Sequence, residues 1–153
     1  MNGLSRGLLS GAVLIGLTFG ANATELTVQL TGISDGRGDV LVIACDETGY
    51  AAEITGRSAT PACTARQVRA AAAGDVTVVL GSLPPGRYAI RAFHDHDRDG
   101  RLGRGIFGVP TEGFGFSNNP DTTFGPPDFA AAAVEISRPT RLSIRLRYPL
   151  GAP

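Results

Sequence analysis

Carboxylates and imidazoles crowd into one short stretch, Phe93-His94-Asp95-His96-Asp97-Arg98-Asp99-Gly100-Arg101-Leu102. Asp at alternate positions followed by Gly is the first half of a calcium loop. Asp95, Asp97 and Asp99 would fill ligand positions one, three and five, Gly100 would make the sharp turn, and Arg101 would offer its backbone carbonyl. The second half is absent: Gly103 stands at position nine and Ile106 at position twelve, where a bidentate Glu normally closes the cage. Closure must come from elsewhere, and Glu112, Asp121 and Asp128 are the nearest carboxylates in sequence. Like charges this close repel without a counterion, which favours a bound divalent cation, calcium first. Arg98, Arg101 and Arg104 could supply the counter-charge themselves, and a metal-free turn held by hydrogen bonds and arginines is the alternative.

His94 and His96 sit at an i, i+2 spacing that places both rings on one side of an extended segment, an arrangement suited to zinc or copper. The other reading is a histidine that tethers the turn by hydrogen bonds. No catalytic residue is assigned. Gly103-Arg104-Gly105-Ile106-Phe107-Gly108 spells a dinucleotide fingerprint, but Val109-Pro110 follows where the fingerprint needs a helix. No G-x-S-x-G elbow exists to activate a serine. A metal-dependent hydrolase built on the His94/His96 cluster is the enzymatic alternative.

Strands must position this chemistry. Strict apolar/polar alternation marks a strand with one buried face, and it recurs over Glu25 to Thr31, Val76 to Leu80, Tyr88 to Ala92 and Arg141 to Tyr148. Asp39 to Cys45 is apolar on both faces and reads as a central strand. Phe129 to Ser137 supplies a sixth strand, although Ala130 to Ala133 also suits a helix. Ala65 to Ala73 reads as a short helix or an irregular edge strand. Short strands punctuated by Ser34-Asp35-Gly36-Arg37-Gly38 and Leu83-Pro84-Pro85-Gly86 predict an all-β, antiparallel sandwich of about seven strands. Gly103 to Asp128 has no sustained periodicity, yet it carries Phe107, Phe114, Phe116 and Phe124. Aromatics are costly to leave in water, so an ordered, self-packed loop is expected. Arg87, Arg91, Arg141, Arg145 and Arg147 would point outward, as a solvated sheet face or a cationic one.

Residues 1–23 read as a secretory signal: Arg6, an apolar run from Gly7 to Gly20, and a small-residue site that places cleavage between Ala23 and Thr24. Residues 24–153 then form one domain, periplasmic or secreted, without a transmembrane segment. An oxidising compartment lets Cys45 and Cys63, the only cysteines, form a disulfide. The chain of 153 residues carries 14 cations, all Arg, and 14 acids. That balance excludes the cationic footprint of a sequence-independent nucleic-acid binder.

Leu83-Pro84-Pro85-Gly86-Arg87-Tyr88 resembles the hairpin of transthyretin-like and Cna-B-like sandwiches. The longer run PPGRYAIRAFHDHDRDGRL, then GIFGVPTEGFGFSNNP and GPPDF, resembles the bacterial exported family termed domain of unknown function 2141. That resemblance implies an exported β-sandwich with the acidic turn and the Gly/Phe loop as hallmarks, and implies no particular activity. Family members tend to carry an Asn-rich turn followed by Leu-Asp; Gly103 stands here in place of that later acid. The expected function is a non-enzymatic binding or accessory module, its partner an envelope protein or glycan met by Phe114, Phe116, Ser117 and Asn118. A purely structural envelope domain is the alternative.

Overall fold

The structure, a computed structural model, describes residues 23–55 and 63–149. Residues 1–22 of the expected signal lie outside them. The described elements are β1 (Thr24–Ile33), β2 (Asp39–Cys45), α1 (Glu47–Thr55), β3 (Ala65–Ala70), β4 (Gly74–Leu83), β5 (Gly86–Asp95), β6 (Phe114–Phe116), α2 (Phe129–Ala132), β7 (Ala133–Ile136) and β8 (Thr140–Arg145). One sheet has the order β4-β1-β8; the other runs β3-β2-β5, with β6 and β7 sharing the far edge of β5.

The alternating side chains meet between the sheets. Leu26, Val28 and Leu30 of β1 pack with Val40 and Val42 of β2, Val78 of β4, Ile90 of β5 and Ile144 of β8. Each fully buried aliphatic side chain contributes about 1.5–3 kcal/mol, which makes this layer the main source of stability. The two-faced strand β2 is central, as its composition requires. Its other face, Leu41, Ile43 and Cys45, packs with Tyr50 of α1, Phe93 of β5, Phe116 of β6 and Ala132 of α2 in a second apolar cluster.

Several expectations are revised. The sandwich is mixed rather than antiparallel, because β8 runs parallel to β1, from Leu26↔Thr140 to Thr31↔Arg145. Residues 65–70 are an edge strand, not a helix. The segment 129–136 is both readings in turn, a short helix started by Asp128, whose carboxylate accepts from the Ala131 amide at 2.8 Å, and then a strand. Helix α1 was not foreseen, and it covers a face expected to be solvated. Arg91 on that face is therefore buried rather than outward, 3.4 Å from Glu53 of α1.

Cys45 and Cys63 are bonded, joining the end of β2 to the approach to β3. Reducing this bridge reopens a loop of 18-residue separation and should cost about 3 kcal/mol of folding stability by loop entropy. Denaturant titration with and without reductant checks the difference.

Candidate functional site

Strand β5 ends where the acidic turn begins, and that turn is spent on itself. Asp95 is buried; its Oδ1 accepts from the Asp99 amide at 3.1 Å and its Oδ2 from the Gly100 amide at 2.8 Å. Asp97 Oδ1 accepts from Asp99 at 3.2 Å, and Asp99 Oδ1 accepts from the Arg101 amide at 2.7 Å. Gly100 takes φ 77°, the left-handed turn expected of it. One ligand atom from each of the three carboxylates lies within 4.8 Å of the others. Burial, and then the neighbouring Asp97 and Glu112, hold the Asp95 carboxyl above the usual carboxylate range, against the lowering effect of its two amide donors.

Of the candidates for closing this turn, Glu112 is at hand. It is buried, with Oε1 accepting from the His96 amide at 2.9 Å and Oε2 from the Gly103 amide at 2.8 Å. Asp121 instead accepts from Thr123, and Asp128 caps α2. Arg98 pairs with Asp39 at 3.4 Å, and Arg66 donates to the Gly100 carbonyl at 2.6 Å.

His94 is a tether. Its Nε2 lies 2.6 Å from the Arg37 carbonyl, which can only accept, so Nε2 carries the proton and Nδ1 accepts from the Tyr148 hydroxyl at 2.8 Å. The same hydroxyl accepts from the Ser34 amide at 3.1 Å. His96 stacks on His94 with ring centroids 3.9 Å apart, the shared side that the spacing predicts. Its Nε2 is 3.3 Å from Asp35 Oδ1.

The loop beyond divides into a weld and an exposed end. Phe116 and Ser117, expected as contact residues, are buried. The Ser117 hydroxyl donates to the Ala132 carbonyl and accepts from the Ile90 amide at 2.9 Å. Asn118, with φ 64°, donates to the carbonyls of Ala131 and Ala133 at 3.1 and 3.0 Å, and Asn119 accepts from the Arg145 amide at 2.8 Å. GFGFSNN thus ties β5, α2 and β8 together. Phe114 is half-buried against Phe116 and pairs through its backbone with Arg147.

The exposed aromatics are Phe107 and Phe124, at 98% and 101%, contrary to the expected self-packing. Phe107 rides the tip of a small hairpin closed by Gly105 N–H donating to Val109 O and Thr111 N–H to Gly103 O. Its φ of 63° is strained for a bulky residue. Phe124 stands on the turn closed by Gly125 N–H donating to Thr122 O. Between the two lies a groove of about 890 Å³, mostly apolar, floored by Phe114 and Phe116 and lined by Arg104 and Arg147 with no acidic residue.

The far end of the loop is anchored by Tyr50, whose buried hydroxyl donates to the Pro127 carbonyl at 2.8 Å. Burial first, then the Asp128 charge, pushes its pKa up to about 12, with Arg91 opposing. A raised folded value means that this group's contribution is full below the ordinary pKa of 10 and is lost as pH rises through about 12. Absorbance titration should show one tyrosine ionising about two units late, with Pro127 released as it does.

Fold and site define a mixed β-sandwich that carries its polar turn and an exposed aromatic groove at one end. The chain belongs to the family described as "Uncharacterized protein conserved in bacteria (DUF2141)", which it matches over residues 28–143. No curated protein and no solved structure matches it, so the transthyretin-like resemblance gains no structural relative. Among the described residues, no helix is long and apolar enough to cross a membrane.

Proposed function

We propose that the domain is an exported, non-enzymatic binding module whose loop end holds an amphiphile, an apolar body with an anionic group, between Phe107 and Phe124. The observation that carries this reading is the pairing of two fully exposed aromatic rings across an apolar groove whose charged lining is Arg104 and Arg147 alone. Exposed apolar surface concentrated in this way marks binding sites on soluble folds, and strain at Phe107 is retained where function requires that ring outside. Against a serine hydrolase stands the commitment of the Ser117 hydroxyl to internal hydrogen bonds. The leader-like residues 1–23 and the disulfide support an envelope or extracellular setting.

Anilinonaphthalene sulfonate, itself an apolar anion, is a direct probe. Its fluorescence should rise saturably with the native protein, and the double variant Phe107→Asn with Phe124→Ser should bind it at least about tenfold more weakly. Unchanged binding by the variant would refute the groove.

The convergence of Asp95, Asp97 and Asp99 within 4.8 Å, with buried Glu112 beside them, favours a second element: a calcium ion locking the turn at the base of the loop. Calorimetry on chelator-treated protein should show calcium binding. No heat at millimolar calcium would leave the turn held by its amides alone.

A further inference from the structure

A second cluster lies on the other side of β5. We infer that Asp35, His94 and His96 form a transition-metal site, with zinc as the ion that fits its ligand types, distinct from the acidic turn. The three residues each offer one ligand atom within 4.8 Å of the others. Asp35 Oδ1 is 3.3 Å from His96 Nε2 and 3.9 Å from His94 Nε2. Zinc bonds of about 2.0–2.2 Å place neighbouring donors of a tetrahedron roughly 3.3–3.6 Å apart. One separation already fits, and the other is within about half an ångström.

The independent observation is His96. Both of its ring nitrogens are shielded from solvent and make no hydrogen bond. Nε2 has only the 3.3 Å approach of Asp35 Oδ1, without a hydrogen bond, and a metal between the two would satisfy both. His96 Nε2 faces Asp35 Oδ1 at 3.3 Å, and the stacked His94 ring holds its Nε2 3.9 Å from the same oxygen, a set of donors that an ion between them would draw together.

His94 can join by changing tautomer. With Nε2 on the metal, its proton moves to Nδ1, which donates to the Tyr148 hydroxyl now 2.8 Å away, the arrangement that orients ligating histidines in zinc sites. The Arg37 carbonyl, now 2.6 Å from Nε2, must swing aside to admit the ion. Asp35 is one-third exposed, so the ion has a route in. The metal would pin the 34–38 turn to the end of β5, where the acidic turn begins.

Calorimetry with zinc chloride on chelator-stripped protein should give one zinc per chain. His96→Ala and Asp35→Asn should each weaken binding by more than about 100-fold, beyond the 10–100-fold typical of outer-sphere partners. Asp97→Asn combined with Asp99→Asn should leave zinc affinity unchanged. Cobalt(II) added to the unaltered protein gives a second reading that does not depend on a variant folding: the His94 and His96 ring proton resonances should shift paramagnetically. Absence of zinc heat, silent histidine resonances, or binding that survives His96→Ala but is lost in the double Asp variant would overturn the site.

Discussion

Phe116→Ala should cost about 3–5 kcal/mol of folding stability, whereas Phe107→Asn and Phe124→Ser should each change it by no more than about 0.5 kcal/mol. The contrast follows from where one loop puts its rings. Phe116 is 7% exposed and packs edge-on to Tyr50, with ring centroids 6.3 Å apart, in the cluster formed by β2, β5 and α2. Truncation removes those contacts and leaves a cavity between strands whose backbones are hydrogen-bonded and slow to collapse. Phe107 and Phe124 bury almost nothing, so removing them forfeits no packing, and Asn tolerates the left-handed backbone at 107. Chemical denaturation of the three variants measures this directly. Comparable losses in all three would mean that the loop is only a lid on the core.

Gly38→Ala should cost about 2–6 kcal/mol, from backbone strain and overpacking together. Gly38 has φ 72°, where an L side chain is strained, and an added Cβ would meet the Asp95 carbonyl and sit 2.7 Å from His96 Cα. Neither backbone can yield cheaply, because the next residue, Asp39, is in register with Asp95 across β2 and β5. The same glycine brings the 34–38 turn against His94 and His96, which places Asp35 beside their rings. Gly36→Ala is the control: there an added Cβ would make only ordinary contacts, at 3.7 Å or more. Thermal melting of both variants should separate them clearly; equal melting temperatures would mean that the close approach at Gly38 is relieved without cost.

Period-two patterning made the sandwich legible because each of those strands buries one face. The bounds of β2 were legible to the residue, since an apolar run on both faces can lie only between covered surfaces. The acidic turn was legible too, its chemistry being local to 95–100. Pairings distant in sequence were not. His94 finds Tyr148 54 residues away and Arg37 57 residues away, and no spacing announces either. Helix α1 lacks an apolar stripe and contains Gly49; its signal was the Asp46 carboxylate accepting from the Gly49 amide, a cap that composition hides. Arg91 looked exposed because the alternation of β5 says nothing about a helix laid over its second face. Phe107 and Phe124 looked buried because hydrophobicity alone predicts burial; turn geometry overrides it.

The most direct test of a loop-end binding site is a residue-resolved one. Isotope-labelled protein titrated with an anionic amphiphile such as decanoate, and followed by amide NMR, should show saturable shifts confined to residues 102–110, 114–116, 122–126 and 147–149, around the groove. No saturable shifts, or shifts centred on the β1, β4 and β8 sheet instead, would contradict it.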